Sequence, residues 1–333
     1  MTLSKRGAGM KRRGFIVGLG AAAAGAVVPS ATRAQEAGRV YRVAALFASQ
    51  KSTPHIATFF DELRVLGFVE GQNLKVEATY GLSGEMPPEL MAAMVKSPPD
   101  VVFSSADRWS RAVQHALPNI SIVGLSTDLI GGGVVKSLAR PGGTATGISF
   151  FGPELDGKRQ DILLEAVPGA RRIAMLADAN ATAPEQLKAL QDAARARGVE
   201  PSVFNIRTPA DIAPTMDQIK ASGAAAVNML ASPLFSGNRR LLFERSNALR
   251  LPAIYEWPEM AEEGGLLGYG ARLSGIFRQA VRMVVKVLRG ASPAEIPVEQ
   301  PTQFELVVNL QTANAIGHEI PAGLVLRADK LIE

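Results

Sequence analysis

From residue 40 onward, apolar runs of four to eight residues alternate with longer stretches whose apolar positions recur every three to four residues. That alternation is the signature of βαβ units around a parallel sheet. Residues 39–47 read as a strand leading to Thr53-Pro54, an N-cap residue followed by the ring favoured in a first helical turn. The helix after it carries Ile56, Phe59, Phe60, Leu63 and Leu66 on one face and stops at Gly67. Further strands are predicted at 74–78, 100–104, 120–125 and 144–151, with helices at 89–96, at 107–117 behind Asp107 as N-cap, and at 153–167. The cadence then restarts. Strands at 172–177, 201–206, 224–230, 252–255 and 266–269 interleave with helices at 183–197, 209–221, 236–249 and 257–263, and a long helix spans 273–289. Two halves of similar size imply an α/β fold of two doubly wound parallel-sheet lobes.

Charge changes the picture only at the start of the chain. The 333 residues carry a formal charge of +5, yet Lys5, Arg6, Lys11, Arg12, Arg13 and Arg33 fall within the first 34, where no Asp or Glu occurs. The remainder holds 30 basic and 31 acidic residues, so the basicity belongs to the leader and a nucleic-acid partner is not expected. A basic stretch, an apolar run at 15–28 and the small-residue site Thr32-Arg33-Ala34 have the order of an export signal. The run is too short to span a bilayer core of about 30 Å. Arg12-Arg13 before x-Phe-Ile resembles a twin-arginine signal, against an ordinary Sec leader as the alternative. Residues 1–34 are therefore expected to be removed, leaving a soluble periplasmic protein. There is no cysteine for disulfides, and Gln35 stands where a lipid anchor would need one.

Several segments carry a family pattern. They are 128–147 (DLIGGGVVKSLARPGGTATG), 153–159 (PELDGKR), 264–270 (GGLLGYG) and 297–309 (PVEQPTQFELVVN). Together they resemble the ABC-transporter substrate-binding protein family that includes tryptophan-binding members. The resemblance implies a type I periplasmic-binding-protein fold, a small ligand enclosed between lobes, no cofactor, and an inner-membrane ABC permease as partner to a monomer. Lobe one is expected from 35–150 with 273–300, and lobe two from 151–272, with 301–333 assigned there as an open placement. Hinge crossings are expected near 150–152, 270–274 and 299–303.

Ligands of open α/β sheets lie beyond the carboxyl ends of the strands. That rule selects Ser49, Gln50, Tyr80, Ser104, Ser105, Trp109 and Asp128 in lobe one. In lobe two it selects Asp178, Asn180, Ser232, Tyr255, Glu256 and Tyr269. Ser49, Gln50, Ser104 and Ser105 suit a carboxylate near helix N-termini; Asp128 or Glu256 suits an ammonium group; Trp109, Tyr255 and Tyr269 could wall in a flat apolar side chain. Each has a structural alternative: Ser104 and Ser105 as helix-start partners, Asp128 as a turn residue, the tyrosines as hinge or core, and Trp109 as exposed on the cleft edge rather than stacked on the ligand. An amino acid, aromatic first, is the expected ligand, although Ala177-Asp178-Ala179-Asn180-Ala181 and Tyr255-Glu256-Trp257 depart from the family pattern. His55, His115 and His318 have no metal-ligand spacing and read as surface or helix-end residues, and Arg239-Arg240 reads as a solvated face. No nucleophile motif or phosphate loop is present. A sensory module docking on a membrane receptor remains the alternative function, and an exported enzyme is third.

Overall fold

The computed structural model describes residues 38–333 apart from 83 and 151. The leader at 1–34 lies outside the described residues. The first half contains β1 (Tyr41–Leu46), α1 (Pro54–Val65), β2 (Leu74–Thr79), α2 (Pro88–Lys96), β3 (Val101–Ser104), α3 (Asp107–Ala116), β4 (Ser121–Ser126) and β5 (Ala145–Ser149). These strands form one parallel sheet in the order β2-β1-β3-β4-β5. The chain continues with α4 (Gly152–Ala166), β6 (Arg172–Asp178), α5 (Pro184–Ala196), β7 (Glu200–Ile206), α6 (Ile212–Ala221), β8 (Val227–Met229), α7 (Pro233–Gly237), α8 (Arg239–Ala248), β9 (Ala253–Tyr255), α9 (Pro258–Glu262) and β10 (Leu267–Gly270). After them come α10 (Leu273–Leu288), β11 (Glu305–Asn309), α11 (Leu310–Ile316), α12 (Ala322–Val325) and β12 (Lys330–Ile332). The second sheet runs β12-β11-β10-β9-β8-β6-β7 and is parallel except where β11 meets β10.

Local chemistry explains most boundaries. Thr53 takes an extended N-cap conformation before Pro54, and Gly67 ends the segment at φ +89°. The predicted helix at 236–249 is in fact two. Ser232 caps the first by accepting from the Leu234 N–H at 3.0 Å, and Asn238 separates them. The predicted N-cap of α3 also shifts by one residue: Ala106 is extended, and Asp107 is the first helical residue. The tail supplies β11, α11, α12 and β12, none of which stood out as periodic runs; the Asn309 carboxamide starts α11 by accepting from the Thr312 N–H.

The chain passes between the sheets three times, at 149–152, 270–273 and 299–305. In the third passage Glu299 first pairs beside β5, exchanging backbone hydrogen bonds with Gly147 and Ser149. Between the second and third passages, α10 returns to the first sheet. There Phe277 meets Phe103 and Phe47 with ring centroids 5.6 and 6.2 Å apart. The central strands are buried on both faces, as helices on either side of a parallel sheet require. Both sheets reverse their winding direction, between β1 and β3 and between β6 and β8, and such switch points open a crevice at the carboxyl ends of the strands.

Candidate ligand-binding cleft

A cavity of about 340 Å³ occupies that crevice, within the range of small-molecule sites. Lobe one supplies Ser49 after β1, Ser105 and Asp107 after β3, and Ser126, Thr127 and Asp128 at the end of β4. Lobe two supplies Asn180 after β6, Ala231 and Ser232 after β8, and Glu256 and Trp257 after β9. Phe150 from the first passage and Leu273 and Phe277 from α10 close the hinge side. The lobes touch around it. Arg108 of α3 lies 3.7 Å from Asp178 at the end of β6, and the Phe150 ring meets Trp257 edge-on at 5.1 Å.

Six of the expected residues therefore meet in one place: Ser49, Ser105, Asp128, Asn180, Ser232 and Glu256. The other seven expected there do not line the cavity. Ser104 is fully buried and its hydroxyl donates to the Ala106 carbonyl at 2.9 Å, a local turn contact. Tyr255 points to the opposite side of β9 from Glu256, into the core, where its hydroxyl sits 2.7 Å from Ser246 and its ring meets Phe243. Tyr269 rests beside Phe304, and its carbonyl accepts from Arg159. The Gln50 amide is turned toward Gly81, whose missing side chain makes room for it. Among the other candidates, Tyr80 stacks on Phe47, and Trp109 is buried with its indole N–H donating to the Gly84 carbonyl. Asp178 stands behind the wall. It accepts from the Ser232 hydroxyl at 2.6 Å and from the Asn180 N–H at 2.9 Å.

The site also contains residues that strand-end reasoning passed over. Arg108 and Arg111, on the polar face of α3, line the cavity. So does His55, which is buried against Phe277 (4.7 Å) and is no surface residue. Burial, with Arg239 nearby, pushes its pKa down to about 3, so the ring is neutral. Arg239 likewise is not on a solvated face: it is buried and pairs with Glu263 at 2.6 Å.

Two arrangements hold the walls. On lobe one, the Asp128 carboxylate accepts from the Ile130 and Gly131 N–H groups at 3.0 and 2.9 Å. Gly131 and Gly132 must lack side chains here, because a Cβ at Gly132 would lie 2.5 Å from Asp107 Oδ2 and one at Gly131 would overlap Asp128. Burial raises the Asp107 pKa, opposed by the Ser126 hydroxyl and Arg111 and reinforced by Asp128. On lobe two, Asp156 and Arg159 of α4 form a fully buried ion pair at 2.6 Å. Asp156 accepts from Gln186 Nε2 at 2.6 Å and from the Ala231 N–H at 3.2 Å; Arg159 donates to the carbonyls of Tyr269 and Glu256. The pair thus fastens the loops that carry Ser232 and Glu256. Glu256 accepts from the Ser232 N–H and the Ser236 hydroxyl, and burial pushes its pKa up to about 7. Burial likewise pushes Asp156 up to about 6, against the pull of Arg159.

The arrangement can bind a molecule with separated charges and an apolar body. Carboxylates and guanidinium groups face the cavity from α3 and the β4 turn, and Phe47, Phe150, Trp257 and Phe277 form an aromatic end. Among the described residues, no group of three His, Cys, Asp or Glu is placed to hold a metal ion, and no helix is long and apolar enough to cross a membrane.

Comparison with known proteins gives the architecture a family. A tyrosine-binding protein of Clostridioides difficile (strain R20291) is 23% identical over 265 residues, covering 78% of this chain and 75% of that protein. An ABC domain from Streptococcus pneumonia in complex with L-Trp superposes with a TM-score of 0.75 at 21% identity, over 88% of this chain and 100% of its own. A conserved domain protein of Vibrio cholerae O1 biovar eltor gives 0.77 at 21% identity, with the same coverage. The fold is that of the type I periplasmic binding proteins. The model of the ABC transporter substrate binding protein family matches residues 52–332, and the chain belongs to that family.

Proposed function

We propose that the protein is the exported ligand carrier of an ABC importer, and that it closes its two lobes around an amino acid, aromatic in the first instance. The observation that carries this reading is the composition of the cleft. Asp107, Asp128, Arg108 and Arg111 offer both signs of charge to a zwitterion, beside an aromatic end formed by Phe47, Phe150, Trp257 and Phe277. The tyrosine-binding and L-Trp-complexed relatives agree with a ligand of this class.

The mechanism is an equilibrium between open and closed lobes. Ser49, Ser105 and Asp128 stand on one lobe, and Asn180, Ser232 and Glu256 on the other. A ligand touching both sets makes its full contacts only in the closed form, and shifts the equilibrium by that difference in affinity. The leader at 1–34 directs export, by the twin-arginine route, and the closed form then docks on an inner-membrane permease. No covalent chemistry is required of the residues in the cleft.

Titration calorimetry of the purified protein against the twenty amino acids tests the reading. The expected result is saturable 1:1 binding of tyrosine, tryptophan or phenylalanine, with a thermal midpoint that rises with ligand. Ligand at a hundred times Kd adds about 2.7 kcal/mol. Flat traces and an unmoved midpoint across all twenty would end the amino-acid reading.

A further inference from the structure

Five carboxylates stand in or directly behind the cleft wall, and their hydrogen bonds distinguish them. Asp156 has both oxygens engaged, by Arg159 and by Gln186. Glu256 has both oxygens engaged within its own lobe, by the Ser236 hydroxyl and the Ser232 N–H. Asp178 is held by the Ser232 hydroxyl, the Asn180 N–H and Arg108. Asp128 spends Oδ1 on the two N–H groups of its turn. Asp107 differs. Its Oδ1 is shielded from solvent and accepts no hydrogen bond, although the residue lines the cavity. Neither neighbouring guanidinium group bonds this oxygen: Arg111 donates to the Gly132 carbonyl, and Arg108 pairs with Asp178. Gln160, Thr182, Asn228 and Glu259 also have unpaired buried oxygens, but none of those residues lines the cavity.

The geometry points to Asp107 as the residue that receives the ligand's ammonium group, a specificity-determining role resting on the amino-acid reading above. A buried acceptor left unpaired is costly, and a donor arriving with the ligand removes that cost. A cation suits the position better than a neutral hydroxyl, because a charge-assisted hydrogen bond to a carboxylate is about twice as strong as a neutral one. An ammonium group also brings three donors, enough to satisfy Asp107 and reach a neighbouring acceptor. Gly132 allows this: only a residue without a side chain leaves room for the other Asp107 oxygen. Of the two residues the sequence offered for the ammonium, Glu256 instead braces the loop of lobe two and Asp128 holds its own turn.

The test compares amino acids with their des-amino counterparts at pH 7.5: L-tryptophan with indole-3-propionate, and L-tyrosine with 3-(4-hydroxyphenyl)propionate. Wild type is expected to bind the amino acid about 100-fold more tightly than the propionate. D107N is expected to lose about 30-fold or more for the amino acid while changing little for the propionate, as when one partner of a buried charged pair is removed. D107S is the second variant, because serine is well tolerated where a helix begins; an unchanged ligand-free melting midpoint certifies either fold. If the variants discriminate as sharply as wild type, Asp107 is not the ammonium acceptor and the amino-acid reading survives. If wild type binds neither tryptophan nor tyrosine, the role of Asp107 falls together with that reading.

Discussion

Replacing Arg159 by methionine keeps most of the side-chain volume and removes the charge. The guanidinium is 2% exposed and makes three contacts: Asp156 Oδ1 at 2.6 Å, the Tyr269 carbonyl at 2.8 Å and the Glu256 carbonyl at 3.2 Å. Removing one partner of a buried pair costs about 3–5 kcal/mol, because the other is stranded. For a chain of this size each kcal/mol moves Tm by roughly 2–3 °C, so R159M should melt about 6–15 °C below wild type at pH 8. The deficit should depend on pH. Asp156 already has its pKa raised to about 6 by burial, so its contribution is present at low pH and is lost as pH rises through that value. Without Arg159 the raised value climbs further. The stranded carboxylate is then neutral at pH 5, where the deficit should shrink, and most costly at pH 8. Calorimetric melts of both proteins at the two pH values, with ligand affinity measured alongside, make the assay. Affinity should also fall, because the loops carrying Glu256 and Ser232 lose their tie to α4. Equal melting of the two proteins at pH 8, or an identical deficit at both pH values, would mean that Arg159 does not hold a charged Asp156 in place.

Three further outcomes follow from the same structure. In wild type, burial of Glu256 withdraws stability as pH rises from its ordinary range through about 7; E256Q should therefore gain on wild type by about 3 kcal/mol between pH 4.5 and 8, measured by denaturant melts. His55 acts in the opposite direction. Its folded-state pKa is depressed to about 3, so stability is lost as pH falls below 6.5, and H55N should remove about 2 kcal/mol of the loss between pH 6.5 and 5. G147A should misfold or melt far below wild type, since a Cβ there would overlap the Gly124 carbonyl on the neighbouring strand; soluble yield and near-UV circular dichroism report it.

Tyr255 and Ser104, which sequence reasoning chose and the structure displaced, share one physical cause. On a strand buried on both faces, apolar residues occupy every position, so no alternation marks which way the last side chain points. Tyr255 and Glu256 are adjacent at the end of β9, and strand parity sends one to the core and the other to the cavity. Ser104 and Ser105 divide in the same way after β3. Arg108 and Arg111 escaped notice because a polar helix face looks alike whether it meets solvent or a cleft. His55, expected at the surface or a helix end, does stand in the first turn of α1 but is buried, and Arg239, expected on a solvated face, is buried for a similar reason. Their burial comes from α10 and α9, elements more than 200 and about 20 residues away.

What the chain determines by itself is local and periodic: the βα cadence, the helix boundaries set by Pro54 and Gly67, and the concentration of basic residues ahead of residue 35. Those depend on neighbours within one turn or one strand, so they can be read from adjacent letters. The structure alone decided which lobe the tail joins, which strand-end residues face one another, and which carboxylate in the cleft keeps an oxygen free. Each of these depends on contacts between residues far apart in sequence, and a burial or a hydrogen bond is settled only when both partners have arrived. Asp107 looks in sequence like a helix cap; tertiary packing turned it into the one cleft carboxylate, among the described residues, with a shielded and unpaired oxygen.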